Sequence, residues 1–395
     1  MLSNSVIQTI KETAPVLAEQ GLKITDLFYQ KLFLNHPELQ NIFNMANQAQ
    51  GEQSRALAES VFMYASKIDE LQELTPMVKR IANKHASLSI QPEHYPIVGK
   101  YLLEAIEEHL ELPKSHPILD AWRIAYNALA DIFIATEEDI YLENEQKIQG
   151  WRGFKPFKID QITTESKGIK SFYLKAEDGR HASFEAGQYV GVRVKPEKSD
   201  YEEIRQYSLS NAPGEDFYRI TVKQEGHGSE FPGTVSNHLH KAKVSDTVWL
   251  QPPTGDFTIQ SPDSSHITFI AGGVGLTPLL SMLLQQLKTM DANKITFIQC
   301  CRDSEHHLMK KAITNLQQRY GFHYYVVYEV ESGADHQGYL TKEVLQKWLP
   351  DNTQPDVYFC GSKPFMSAVN KMCSEIGISE QQRHYEIFGP TTTLS

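Results

Sequence analysis

Cysteine is scarce in this chain: Cys300, Cys301, Cys360 and Cys373 are the only four among 395 residues. None sits in a CxxC pair or at zinc-ligand spacing, which excludes a disulfide scaffold, a zinc ribbon and an iron–sulfur centre. They read as reduced thiols, so the compartment expected is the cytoplasm. Basic residues are also in deficit, 38 against 49 acidic, for a net charge of −11. A nucleic-acid or anionic-membrane binder wants the opposite balance, so the partners expected are small molecules, with no obligatory protein partner. Met1-Leu2-Ser3-Asn4-Ser5 lacks the basic-then-apolar pattern of a signal peptide. Long apolar runs are nearly missing. The stretch from Ile267 to Leu284 carries no charge, but Gly272, Gly273, Gly275 and Pro278 divide it into a buried strand, a tight turn and a helix start. No membrane span is expected.

The length implies two or three domains, and a hydrophobic content of 41% is enough to fill their cores. Helical periodicity predicts an all-α unit over residues 1–140, with Pro37, Pro76, Pro92, Pro96, Pro113 and Pro117 at the ends of elements. A polar linker over 141–151 precedes a change of period. Alternation at 187–194, 204–210, 218–222 and 247–251 predicts a small antiparallel β-barrel within 152–260. From 261 to 395, short apolar strands at 267–270, 295–298, 324–328 and 357–359 alternate with helices, as in a parallel-sheet α/β domain.

The helical unit carries four polar side chains in apolar register. His85 lies four after Ile81 and three before Leu88; Gln53 leads Leu57, Val61 and Tyr64; Tyr29 shares a face with Leu22 and Phe33. Glu137 falls between Phe133 and Ile140 on a stripe that begins at Trp122, Tyr126 and Leu129, where an unpaired carboxylate is costly. Singly, each also fits a core polar group with a satisfied hydrogen bond. Together, with Phe43 after Asn35-His36-Pro37, they resemble a globin haem pocket. That resemblance implies His85 as the proximal iron ligand, Phe43 packed on the porphyrin, and Tyr29 and Gln53 on the distal side. One proximal histidine leaves a sixth iron position for a diatomic gas.

Two motifs follow in the barrel segment. Arg205-Gln206-Tyr207-Ser208 offers a guanidinium, an aromatic face and a hydroxyl from one strand. Gly233-Thr234-Val235-Ser236, ahead of Leu239-His240, offers a helix N-terminus with an exposed hydroxyl for a pyrophosphate. The α/β segment opens with Ala271-Gly272-Gly273-Val274-Gly275-Leu276-Thr277-Pro278 after a strand, a glycine-rich turn that equally fits a cofactor loop or a mere tight turn. It continues to Cys360-Gly361-Ser362 and ends on Glu386-Ile387-Phe388-Gly389-Pro390.

In this order the motifs resemble the ferredoxin-reductase family of flavoproteins. The resemblance implies FAD held by Tyr189, Arg205, Gln206, Tyr207, Ser208, Gly233, Val235 and Ser236. It implies NADH or NADPH held at 271–277 and by Cys360 and Gly361. Glu386 to Pro390 border the flavin, with Phe388 as a lid over its face. Ser362 stands where members often carry proline. The whole chain resembles a flavohaemoglobin, a globin fused to such a reductase. That likeness implies haem b, FAD and an NAD(P)H-driven electron relay that converts nitric oxide and dioxygen to nitrate. It pairs Tyr95, placed just before the helix of Val98, Leu102 and Ala105, with Glu137 behind His85, and puts Lys84 near a propionate and the flavin. Three other readings stay open: an oxygen-sensing or oxygen-storing globin, a reductase for an external acceptor, and a cofactor-free helical scaffold.

Overall fold

The computed structural model describes residues 2–389, apart from Lys198 and residues 227–232, 261–263 and 351–354. Helices α1 (Asn4–Asn35), α2 (Met45–Ala49), α3 (Glu52–Ser66), α4 (Thr75–Leu88), α5 (His94–His109) and α6 (Pro117–Gln146) build the first unit. Their starts follow from local chemistry. Ser3 Oγ accepts the Val6 N–H at the head of α1, and Pro76 and Pro117 supply fixed φ and a missing donor in the first turns of α4 and α6. Pro15 departs from the expected pattern, since it lies inside α1. It is exposed, so water can satisfy the carbonyl whose helical partner it removes. Helix α6 runs to Gln146, into the stretch 141–151 expected as linker.

The helices pack on one core of Ile10, Leu17, Ile24, Phe28, Leu32, Tyr64, Leu102, Ile106 and Trp122. Leu22 does not share it: at 41% exposure it points away from the face that buries Tyr29. The buried Tyr64 hydroxyl donates to the Ala125 carbonyl at 2.8 Å and ties α3 to α6.

Strands β1 (Lys155–Ser166), β2 (Ile169–Ala176), β3 (Tyr189–Val194), β4 (Glu203–Ser208), β5 (Tyr218–Lys223) and β6 (Thr247–Leu250) form one antiparallel sheet. Its order is β4-β3-β6-β1-β2-β5, and a bridge from Leu209 to Ile220 brings its two ends together. The long β1–β2 hairpin lies outside the strands read from alternation. Polar residues such as Gln161, Thr163 and Thr164 dilute its pattern, and register shifts at Ile159/Gln161 and Thr164/Ser166 break the period of two. Helix α7 (Thr234–Lys241) follows β5.

The second sheet is parallel throughout, with order β10-β9-β8-β7-β11-β12. It comprises β7 (Ile267–Gly272), β8 (Ile295–Cys301), β9 (His323–Tyr328), β10 (His336–Gln337), β11 (Asp356–Cys360) and β12 (Arg383–Glu386). Helices α8 (Leu276–Gln286), α9 (Lys310–Tyr320), α10 (Lys342–Trp348) and α11 (Lys363–Glu375) alternate with these strands. Separate apolar clusters cover its two faces, one around Phe269, Phe297 and Leu279, the other around Val357, Phe359 and Val369. Strand β12 went unread because Arg-His-Tyr-Glu carries no apolar pattern; its backbone pairing with β11 alone makes it a strand. Among the described residues no helix is long and apolar enough to cross a membrane.

Candidate functional site

A single cavity of about 1620 Å³ runs from the core of the helical unit to the flavin-like motif and the chain's last described residues. His85, on α4, lines it. Its Nδ1 lies 2.7 Å from Glu137 Oε1 and 3.2 Å from the Tyr95 hydroxyl, which itself donates to the same carboxylate oxygen at 2.5 Å. A carboxylate with two donors on one oxygen fixes the tautomer: Nδ1 carries the hydrogen, and Nε2 keeps the lone pair a metal needs. Glu137 is only 2% exposed and stands behind His85 rather than on the cavity wall. The two hydrogen bonds satisfy the carboxylate, which is what lets it sit on an apolar stripe. Tyr95 lies in the first turn of α5, not before it, and Tyr126 fastens that turn by donating to the Tyr95 carbonyl at 2.7 Å. Burial first, then the neighbouring Glu137, pushes the Tyr95 phenol up, so the hydroxyl stays a donor.

Tyr29, Gln53 and Phe43 line the same chamber. Phe43 meets the Tyr29 ring edge-on at 5.8 Å, and Phe33 stacks on Tyr29 at 5.8 Å. Burial pushes the Tyr29 phenol well up, and Gln53 offsets part of that rise. Gln53 Oε1 is buried with no partner among the described residues, a cost kept only where something else can satisfy it.

Farther along, Tyr189, Arg205, Gln206, Tyr207 and Ser208 line the cavity, as do Gly233, Val235 and Ser236. Arg205 pairs with Glu203 at 2.9 Å, so its guanidinium is held in place from the side. The Ser236 hydroxyl is not the exposed group expected. It is 7% exposed, accepts the Glu225 N–H at 3.2 Å and donates to the Gly233 carbonyl at 3.2 Å, which locks the turn instead of facing solvent. Lys84, Glu386, Ile387, Phe388 and Gly389 close the far wall; Pro390 lies outside the described residues. Lys84 Nζ donates to the Gly389 carbonyl at 2.8 Å. Burial pulls the Lys84 ammonium down to about 8 and pushes the Glu386 carboxyl up to about 8, the latter with help from Asp256. Phe388 is 45% exposed.

The glycine-rich turn divides. Val274 and Thr277 line the cavity; Ala271, Gly272, Gly273, Gly275 and Leu276 do not, nor do Cys360 and Gly361. At Gly275 a Cβ would stand 2.1 Å from the Cys360 carbonyl oxygen, so this glycine serves the packing of two βα turns on each other. Cys360 is fully buried, and its thiol donates to the Glu386 carbonyl at 3.4 Å. Ser362 has φ −66°, the value proline imposes, so the serine keeps a proline-like backbone.

Sequence reading missed Asn83 and Ser87 on α4, and Glu225 and Asp256 on the cavity wall. Asn83 and Ser87 occupy the polar face of an amphipathic helix, where periodicity cannot tell solvent from a second domain.

Comparison with known proteins agrees with this order of parts. Residues 26–133 match the globin model, 156–259 the oxidoreductase FAD-binding domain and 269–371 the oxidoreductase NAD-binding domain. A flavohemoprotein of Bacillus subtilis is 40% identical over 100% of this chain and 99% of its own. The flavohemoglobin of Malassezia yamatoensis, solved with bound FAD and heme, superposes with a TM-score of 0.85 at 27% identity, covering 98% of this chain and 100% of that one. The FAD/NAD-binding domain of a nitric oxide dioxygenase from Vibrio cholerae covers 60% of this chain and 99% of its own, with a TM-score of 0.56 at 37% identity. A helical globin unit, an antiparallel FAD-binding sheet and a parallel NAD-binding sheet, joined by one cavity and matched over their full length, make this oxidoreductase a member of the flavohemoprotein family.

Proposed function

We propose that the chain is an NAD(P)H-dependent nitric oxide dioxygenase, which converts nitric oxide and dioxygen to nitrate and so removes nitric oxide. The observation that carries the reading is the lock on His85. Its Nδ1 is committed to Glu137 and Tyr95, which leaves Nε2 on the wall of a cavity that continues to the flavin motif. The residues present fit both groups. The chamber between Phe43 and His85 offers one imidazole ligand and an apolar wall, and Gln53 Oε1 and Glu386 Oε2 are buried polar atoms without partners among the described residues. When bound, haem supplies a redox iron that activates dioxygen toward nitric oxide, and FAD accepts a hydride and releases electrons singly.

The protein's own groups do the rest. Glu137 orients the imidazole and strengthens it as a donor, while Tyr95 keeps the carboxylate in place. Tyr29, held neutral by burial, presents a hydroxyl donor across the chamber, and Gln53 stands beside it. Phe33, Phe43 and Phe28 around Tyr29 exclude water from the ligand's side. Tyr189, Arg205, Tyr207 and Ser208 bind and orient the flavin, and Phe388 covers it until the nicotinamide arrives. With reductase and globin on one chain, no protein partner is required; the substrates are nitric oxide, dioxygen and NAD(P)H. Four unpaired thiols support a reducing compartment, the cytoplasm.

The test supplies purified protein with oxygen, nitric oxide and NADH or NADPH and measures nitrate. Nitrate formed with many turnovers per protein is expected. Oxidation of the nicotinamide with nitric oxide left intact under abundant oxygen overturns the reading and favours a reductase with an external acceptor.

A further inference from the structure

Helix α4 has two working faces. His85 points into the globin chamber; Asn83 and Ser87, about 160° round the helix from it, are 6% and 0% exposed and face the flavin-binding sheet. Asn83 Oδ1 accepts the Gly255 N–H at 3.0 Å and the Thr254 hydroxyl, while its Nδ2 donates to the Lys79 carbonyl at 2.9 Å. Ser87 Oγ accepts Gln206 Nε2 at 3.0 Å and donates to the Lys84 carbonyl at 2.7 Å. The backbone closes up as well. A Cβ on Gly191 would stand 2.0 Å from the Ser87 carbonyl oxygen, so only glycine permits this approach.

Each partner leads directly to the flavin wall. Gln206 is part of the Arg205–Ser208 motif, and Thr254 exchanges two backbone hydrogen bonds with Tyr189, at 2.9 and 3.0 Å. Two attachments a turn apart, about 6 Å along the axis, fix both its rotation and its height against the sheet.

We propose that Asn83 and Ser87 are positioning residues for electron transfer: by pinning α4 to the flavin-binding sheet they set the separation of the flavin from the iron that His85 holds. This rests on the reading of the cavity as a haem and flavin site. A hydride from NAD(P)H brings two electrons to the flavin; each crossing then oxidises the flavin by one electron and reduces ferric iron to ferrous. Neither residue lines the cavity, so their replacement should leave hydride transfer into the flavin near its wild-type rate.

The experiment compares the cofactor-loaded full chain with an Asn83→Leu/Ser87→Ala double variant and with the two single variants, Asn83→Leu and Ser87→Ala. Stopped-flow mixing with NADH follows flavin and haem separately, ferricyanide serves as an external acceptor, and hydrogen exchange reports on the α4 amides. Electron transfer falls off with the separation of the two groups, so a loosened α4 slows this step without touching the hydride step. In the double variant haem reduction should therefore slow severalfold, with flavin reduction and ferricyanide reduction at wild-type rates and faster exchange over residues 83–88. Each single variant should fall between. Haem reduction at the wild-type rate in the double variant, or in Ser87→Ala should the double variant not fold, overturns the proposal. So does an equal loss of haem and ferricyanide reduction, which would mark damage to the flavin site itself. Wild-type protein that reduces haem from neither NADH nor NADPH overturns the dioxygenase reading before any variant is made.

Discussion

Replacing Glu137 by Gln removes one charge and almost no volume from behind His85. Glu137 Oε1 accepts from His85 Nδ1 at 2.7 Å and from the Tyr95 hydroxyl at 2.5 Å, in a site 2% exposed. Hydrogen bonds to a charged acceptor contribute about 1.5–3 kcal/mol each, and neutral ones about 0.5–1.5 kcal/mol. The imidazole thus loses about 1–1.5 kcal/mol of support, which corresponds to about a five- to tenfold weaker hold on haem. Glu137→Ala removes both bonds and strands two buried donors, so its loss should reach the range of about 10- to 100-fold typical of a missing outer partner. Tyr95→Phe spares the bond to His85 and should cost least. The assay is haem loss to an excess of apomyoglobin, combined with the iron–histidine stretching frequency of the ferrous protein. Haem release should rise in the order Tyr95→Phe, Glu137→Gln, Glu137→Ala, and the stretch should fall in the same order. Glu137→Ala protein with wild-type haem release and an unshifted stretch would refute the account, because the imidazole would then owe nothing to the carboxylate.

Tyr29→Phe should raise the rate of oxygen dissociation from the ferrous protein about ten- to a hundredfold, the equivalent of the roughly 1.5–3 kcal/mol of one bond to a polarised ligand; flash photolysis measures it, and an unchanged rate would place the hydroxyl outside the ligand's reach. Glu386 has its carboxyl pushed up to about 8 from an ordinary 4.5, by burial and by Asp256. The folded chain therefore keeps a proton that the unfolded chain has released, and stability should fall as pH rises between about 4.5 and 8. Glu386→Gln should flatten that slope in thermal unfolding, and a slope identical to wild type would assign the pH dependence to other groups. Phe388→Ala should alter the rate of hydride transfer or the choice between NADH and NADPH while FAD content stays at one per chain, as measured by stopped flow and flavin extraction; an unchanged nicotinamide profile would make Phe388 a packing residue.

What the sequence determined by itself was local. Apolar residues at helical spacing announced an all-α unit, the switch to alternation announced a sheet, and charge-free strands such as Ile267–Gly272 announced a buried parallel one. Polar residues out of place on those stripes, Tyr29, Gln53, His85 and Glu137, each called for a partner because burial of an unpaired polar group is expensive, and the globin resemblance gathered them round one pocket. Pattern also failed locally, at the β1–β2 hairpin, where bulges break the period, and at β12, whose side chains carry no apolar signal. Local pattern left the partners open; the family resemblance placed Glu137 and Tyr95 behind His85, and the tertiary structure alone gave Asn83 and Ser87 theirs. His85 and Glu137 are 52 positions apart, and Asn83 and Thr254 are 171 apart. No periodicity specifies which polar group will stand opposite another, because that depends on how separate elements pack. The same limit hid the second face of α4. A polar helix face facing water and one pressed against a neighbouring domain have the same sequence pattern, and only the fold shows that Asn83 and Ser87 are buried.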